Sequence, residues 1–247
     1  MSTPPLADRI AVVTGASAGI GAATCRALAA AGASVVLASR SERQLAELAD
    51  ELEADHGVET LVVPCDVREE ADIKNLVDTT VERLGGIDVF VNNAGLARGS
   101  AVESMSTETY KTMQETNVDG MFYATRAAIP HVREREGHLI FLGSFAGNYP
   151  RSFNPVYAAS KWWTRGFAKS VAAQVGDDGV GVTVINPGEV RSAFQASDGR
   201  TFSEVFDEGE ASEPEEVADA IVFAATREGS SLSEIDLNRR DKFADSF

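Results

Sequence analysis

Tyr157 and Lys161 stand four residues apart in the stretch Asn154-Pro155-Val156-Tyr157-Ala158-Ala159-Ser160-Lys161, and Ser144 lies thirteen residues before the tyrosine. On a helix, residues i and i+4 share a face, so the phenol and the ammonium would project into one space. A phenol with its usual pKa of about 10 is a weak acid–base group at neutral pH. A neighbouring cation stabilises the phenolate and lowers that value. A hydroxyl from Ser144 could then hold the oxygen on which the tyrosine acts. The same spacing also describes an ordinary surface pair, so the surrounding sequence has to decide between the two readings.

Such a pair needs a scaffold, and one is visible as short β-branched runs alternating with longer helical stretches. Strands are expected at residues 10–14, 34–39, 60–63, 87–91, 138–142 and 180–185, with a short seventh at 234–237. Helices are expected at 20–31, 42–56, 69–84, 107–134, 156–175 and 215–226. Alternation of this kind predicts an α/β fold: a doubly wound parallel sheet, Rossmann-like, in three layers with about seven strands. The strand runs are almost wholly apolar, as expected when both faces of a sheet are buried. Residues 1–247 read as one domain, without linker or repeat. The pattern weakens between 192 and 213, where Phe and acidic residues mix with Gly, and this stretch is read as a substrate lid.

The first strand runs into Thr14-Gly15-Ala16-Ser17-Ala18-Gly19-Ile20-Gly21, which opens a helix. Glycines let the backbone turn tightly and approach a pyrophosphate. The helix N-terminus offers N–H groups and the positive end of a dipole to the phosphates. A turn that binds nothing would share the glycines, but here the strand and the helix flank them as nucleotide binding requires. The second strand ends at Ser39, followed by Arg40, where NAD-binding sheets commonly carry an acid for the ribose hydroxyls. An arginine attracts a 2′-phosphate and can bind it bidentately, so NADP is expected over NAD, with NAD still possible.

Five segments in order make the chain resemble the short-chain dehydrogenase/reductase family, over residues from about 10 to 190. They are the TGxxxGxG turn, Asn92-Asn93-Ala94-Gly95 after the fourth strand, Asn117 in the long helix, Ser144 with Tyr157-x-x-x-Lys161, and Pro187-Gly188 after the sixth strand. The resemblance implies Tyr157 as general acid–base and Lys161 as the cation that lowers its pKa and holds the nicotinamide ribose. It implies Ser144 as the group bonding the substrate oxygen, and Asn117 as the anchor of a water that passes protons from Lys161 to solvent. Gly15, Ser17, Ala18, Gly19, Ile20 and Gly21 would line the cofactor, with Ser39 and Arg40 at the adenosine ribose. Asp66 and Val67 would meet the adenine, although Asp66 equally suits a helix cap. Asn92, Asn93, Ala94 and Gly95 would flank the cofactor, and Pro187, Gly188 and Val190 would face the nicotinamide carboxamide. Ser192 stands where relatives often have Thr. One departure concerns Ala18, because many NADP-preferring relatives carry a basic residue just before the second glycine.

The implied reaction is hydride transfer between nicotinamide and a secondary alcohol or ketone. Residues 92–97 resemble the 3-hydroxy acid dehydrogenase branch, and the Gly-Gly turn near the C-terminus of typical 3-oxoacyl thioester reductases is missing. A secondary alcohol or a 3-hydroxy acid is therefore the leading substrate; thioester reduction is the alternative within the enzyme class. A non-catalytic NADP-binding redox sensor is the alternative outside it. Phe145, Asn148, Tyr149, Phe153, Asn154 and the lid are the expected substrate contacts. Arg98, Arg151 and Arg191 read as surface cations that a substrate carboxylate could reach. Trp162, Trp163 and Phe167 read as core or subunit packing. The resemblance also implies pairing of the 107–134 and 156–175 helices between copies, giving a homodimer or homotetramer.

The bulk charge removes other classes. The chain has 38 acidic and 22 basic residues, a net charge of −16. Such a surface repels nucleic acid and anionic membranes, so neither is expected as a partner. The acids are spread along helical segments, for example Glu42, Glu47, Asp50, Glu51, Glu53 and Asp55, and resemble the solvated surface of proteins from salt-loving microbes. Cys25 and Cys65 have no CxxC neighbour, and His56, His131 and His138 have no metal-ligand spacing, so reduced thiols and no metal are expected. Neither a leader pattern nor an apolar run of membrane-spanning length is present, and a cytoplasmic protein is expected.

Overall fold

The computed structural model describes residues 3–194 and 200–242, so part of the expected lid, 195–199, lies outside the described residues. The strands are β1 Ile10–Thr14, β2 Ser34–Ser39, β3 Thr60–Pro64, β4 Val89–Asn92, β5 His138–Leu142, β6 Gly181–Pro187 and β7 Glu234–Leu237. They form one sheet in the order β3-β2-β1-β4-β5-β6-β7, and every neighbouring pair is parallel. The chain steps outward from β1 to β3, returns to the other side of β1 with β4, and steps outward again to β7. This is the doubly wound, Rossmann-like arrangement expected.

The helices are α1 Gly19–Ala30, α2 Glu42–His56, α3 Glu70–Leu84, α4 Thr107–Gln114, α5 Gly120–Glu134, α6 Pro155–Val175, α7 Phe202–Val205 and α8 Pro214–Ala225. One core lies between the sheet and α1, α2 and α8, filled by Val13, Leu28, Leu37, Leu52 and Ile221. The other lies under α3, α5 and α6, filled by Val12, Ile73, Phe90, Phe141 and Val171. Neighbours Val12 and Val13 enter opposite cores because strand side chains alternate faces. All five residues of β1 are buried, which is why the run is apolar throughout.

The expected 107–134 helix differs in one respect. Between α4 and α5 the chain makes a π-helical turn, Glu115–Asp119, in which the N–H of Gly120 reaches the carbonyl of Glu115. Such turns hold one extra residue and recur at functional sites. Asn117 sits in it. Downstream, α5 comes so close to the loop after β3 that a Cβ on Gly120 would lie 2.8 Å from the carbonyl oxygen of Val67.

Polar groups close the amino ends of the strands. Buried Asp88 accepts from Arg9 Nη1 and from the Ile10 N–H, both at 2.9 Å. Arg135 donates to the Gly85 carbonyl at 2.7 Å, and the His138 ring bonds the Arg227 carbonyl at 2.9 Å. Cys25 and Cys65 are buried free thiols, and burial pushes that of Cys65 up to about 12. No helix among the described residues is long and apolar enough to cross a membrane.

Candidate active site

A cavity of about 640 Å³ opens over the carboxyl ends of β1, β4, β5 and β6, where the strand order reverses. Its first wall is the glycine-rich turn, with Gly15, Ser17, Ala18, Gly19, Ile20 and Gly21 all lining it. Gly15 and Gly19 have φ of 67° and 53°, a region that costs other residues a clash with their own Cβ. A Cβ on Gly21 would lie 2.1 Å from the Gly15 carbonyl oxygen, so α1 reaches this position only with glycine there. Ala18 supplies no side-chain cap, and the first turn of α1 carries no acid. The N–H groups there are open to an anion, backed by the helix dipole. Arg40 lines the far end of the cavity, and its side chain makes no hydrogen bond or ion pair among the described residues. A Cβ-free cradle, an uncapped helix N-terminus and a distal arginine fit a dinucleotide.

Thr14 ties this wall to the next. Its Oγ1 accepts the N–H groups of Asn93 and Ala94 at 3.0 and 3.1 Å, and Asn93 Nδ2 donates to the Thr14 carbonyl at 2.8 Å. Asn93, Ala94 and Gly95 line the cavity. Asn92 does not: it is buried with Nδ2 3.4 Å from Thr125 Oγ1. Nor do Ser39, Asp66 and Val67. The Ser39 hydroxyl accepts the Ser41 N–H at 3.2 Å. The Asp66 carboxylate receives Arg68 Nε at 2.9 Å, and that guanidinium holds it below the usual carboxylate range. Asp66 is not the cap of α3 either, since Glu69 occupies that position.

Ser144 at the end of β5 and Tyr157 and Lys161 on α6 line the cavity together. Asn154 starts α6 by accepting the Tyr157 N–H, and Pro155 follows at its first position. Burial pushes the Tyr157 phenol above its ordinary value, while a hydrogen bond from Ser144 and the charge of Arg151 pull it back. Lys161 is only 5 % exposed, and its Nζ donates to the Leu142 carbonyl at 2.7 Å. Burial lowers its ammonium to about 8. Nζ lies 5.8 Å from the centre of the Tyr157 ring. In this geometry the groups that lower the phenol are Ser144 and Arg151; Lys161, expected in that part, is itself depressed.

Asn117 stands behind the cavity wall. Its Oδ1 accepts the Leu96 N–H, and its Nδ2 donates to the Leu96 carbonyl, both at 2.9 Å, and to Ser160 Oγ at 3.1 Å. Ser160 in turn donates to the Tyr157 carbonyl at 2.7 Å. Asn117 therefore clamps the loop after β4 onto the helix that carries Tyr157 and Lys161.

Pro187, Gly188, Val190 and Ser192 form the third wall. The ends of the lid are tied together: Val190 bridges to Ser212, and Arg191 Nε meets Glu213 at 2.8 Å. Ser192 presses on the glycine-rich turn, where a Cβ on Gly19 would lie 3.1 Å from its own Cβ. The lid adds a wall the sequence reading did not single out, made of Phe194, Phe202, Val205 and Phe206. Ring centres step from Tyr157 to Phe194 at 6.2 Å, to Phe202 at 5.8 Å and to Phe206 at 5.6 Å. A signal existed: Thr201-x-x-Glu204 is a capping box opening α7, which begins at Phe202 and is followed directly by Phe206. Of the expected substrate contacts, Phe153 and Asn154 line the cavity. Asn148 instead donates to Asp236 at 2.9 Å, and Tyr149 stacks on Phe145 at 4.3 Å.

A doubly wound sheet that brings a phosphate cradle, a buried Tyr–Lys pair and a serine to one cavity defines an oxidoreductase acting on CH–OH groups with a nicotinamide cofactor. Residues 9–201 match the short chain dehydrogenase family, and the chain belongs to that family. It is 34 % identical over 221 residues to an uncharacterised oxidoreductase of Staphylococcus epidermidis, covering 89 % of this chain and 92 % of that one. The alcohol dehydrogenase of the archaeon Thermococcus sibiricus, complexed with 5-hydroxy-NADP, superposes with a TM-score of 0.86 at 27 % identity, covering 93 % of this chain and 96 % of that chain. A metagenomic short-chain oxidoreductase in complex with NADP gives a TM-score of 0.81 at 30 % identity, covering 94 % and 97 %.

Proposed function

We propose that the enzyme interconverts a secondary alcohol and a ketone, using NADP in preference to NAD. The observation that carries the cofactor choice is Arg40 on the cavity rim, its guanidinium unengaged among the described residues, with Ser39 where an acid would repel a 2′-phosphate. The nearby carboxylate of Asp66 is taken by Arg68 and so leaves Arg40 to the phosphate. Structural neighbours complexed with 5-hydroxy-NADP and with NADP support the same choice. When bound, the cofactor supplies or accepts the hydride.

The chain's own residues handle the oxygen and the proton. Ser144 holds the carbonyl oxygen, and Tyr157 donates a proton to it; in oxidation Tyr157 takes the proton of the alcohol. Burial makes the phenol a weaker acid, and the hydrogen bond from Ser144 with the charge of Arg151 works against that shift, toward the range in which it can donate its proton. Lys161 holds the ribose, and protons leave Tyr157 past Lys161 and a water at Asn117. Among alcohols, a 3-hydroxy acid is the leading substrate, on the strength of the 92–97 segment. Residues 1–247 act as one domain. Exposed Tyr110, Phe122 and Trp162 on α4, α5 and α6 support pairing of copies into a homodimer or homotetramer. The acidic surface suits a salty cytoplasm, so melting temperature should rise between low and molar KCl.

Steady-state rates with NADPH and NADH on a panel of ketones, measured in molar KCl, test this reading. kcat/KM should be at least ~10-fold higher with NADPH, and Arg40→Asp should lower the NADPH value by about 100-fold. An Arg40→Asp enzyme that still prefers NADPH would remove the cofactor assignment. Absence of turnover on every ketone and secondary alcohol would remove the reaction.

A further inference from the structure

We propose that Arg151 binds an anionic group of the substrate, a carboxylate fitting best, so that the enzyme selects acidic ketones and hydroxy acids over neutral ones. This rests on the reaction proposed above and concerns the substrate half of the same cavity. Arg151 lines that half beside Phe153 and Tyr157. Its guanidinium lies 4.8 Å from the centre of the Phe145 ring and 5.7 Å from that of Phe153, so aromatic faces hold it in place.

Its donors have capacity left. Among the described residues the Arg151 side chain makes no hydrogen bond, and its ion-pair contact is Glu189 Oε1 at 3.6 Å, too long for a direct hydrogen bond. The other carboxylate oxygen of Glu189 is taken by Lys242, whose ammonium also stands 4.6 Å from the Phe145 ring centre. Arg151, Lys242 and Glu189 together therefore keep one positive charge in excess. The described lining of the cavity holds three cations, Arg40, Arg151 and Lys161, against one acid, Glu189. In a chain with 38 acidic and 22 basic residues this reverses the overall balance. Arg40 stands at the adenosine end, and Lys161 is bonded to Leu142. That leaves Arg151 as the cation facing the substrate side. The two other arginines considered from sequence drop out: Arg98 is exposed and lines nothing there, and Arg191 is bonded to Glu213. A guanidinium fork matches the two oxygens of a carboxylate, which a point charge does not.

Acetoacetate and methyl acetoacetate share the reacting ketone and differ in charge, so the pair isolates this contact. The wild-type ratio of kcat/KM for acid over ester should exceed about 10, and Arg151→Gln should lower that ratio by about 10- to 100-fold, with Arg151→Lys between them. Calorimetric titration of acetoacetate into the enzyme with NADP⁺ should show binding to the wild type that weakens by a similar factor in Arg151→Gln. NADPH affinity of each variant verifies its fold. A wild type that treats acid and ester alike, or an Arg151→Gln enzyme with unchanged ratio and unchanged acid binding, overturns the inference while leaving the reaction standing. Acid binding that depends on Arg151 without reduction of any ketone upholds the anion site and overturns the reaction.

Discussion

At the amino ends of the strands, Asp88 is matched to Arg9 and the Ile10 N–H, Arg135 to Gly85, and His138 to Arg227. At the carboxyl ends of the same strands, Arg40 and Arg151 have no side-chain hydrogen bond among the described residues, and Lys161 has one for its three donors. For Asp88 and His138, which are buried or half-buried, the first arrangement is what a buried polar group needs in order not to destabilise a fold. The second is destabilising or neutral by itself and becomes favourable only when a ligand arrives with the missing partners. The difference teaches that neither position in the sheet nor a cavity is enough to mark a site, since a second cavity lies among Arg9, Arg135 and Arg227, each with a side-chain hydrogen bond; what marks the site is cations without one among the described residues, Arg40 and Arg151, lining the same cavity.

Substitutions at the two ends should separate activity from stability. The largest effect is expected for Tyr157→Phe, which removes the proton donor and leaves the ring: ketone reduction should fall about 10²- to 10⁴-fold, with the melting temperature nearly unchanged. Asp88→Ala should do the reverse. It leaves the Ile10 N–H and Arg9 without their acceptor, so chemical denaturation should show a loss of ~2–3 kcal/mol, with kcat/KM within about two-fold of wild type. Comparable activity losses in both variants would dissolve the contrast.

The smallest effect sharpens it further. Burial holds the Lys161 ammonium at about 8, below its ordinary 10.5. A base whose value is depressed on folding weakens the fold fully below the folded value, and the penalty fades as pH rises to the unfolded one. Lys161→Met should therefore raise the melting temperature by a few degrees at pH 7, on the order of 2 kcal/mol. The gain should shrink between pH 8 and about 10.5. A Lys161→Met protein that melts lower than wild type at pH 7 would place this lysine with the structural groups instead.

Much of this arrangement was legible in the sequence because it is local chemistry. Glycines at 15, 19 and 21 between a strand and a helix have few other reasons to be there, and Tyr157 and Lys161 share a helix face by spacing alone. What was hidden depends on distant packing. The π-helical turn at Asn117 adjoins the close approach of α5 to the loop after β3, and no window around residue 117 contains that loop. Asn92 and Asn93 are neighbours of one type, yet strand alternation sends one to Thr125 and the other to Thr14. Arg151 read as one surface arginine among three, because its partners Glu189 and Lys242 are far along the chain. The lid wall was missed because Phe194, Phe202 and Phe206 straddle a polar stretch without the periodicity of a long helix.

The contrast between the two ends rests most directly on the state of Lys161, and that state can be titrated. The chain has five lysines, Lys74, Lys111, Lys161, Lys169 and Lys242, so NMR of ¹³C-labelled lysine side chains resolves few signals, and Lys161→Met identifies the one of interest. The expected result is a single ammonium, absent from the variant, that loses its proton near pH 8. A Lys161 signal titrating at its ordinary value near 10.5 would contradict a desolvated cation held open for chemistry at the carboxyl ends of the strands.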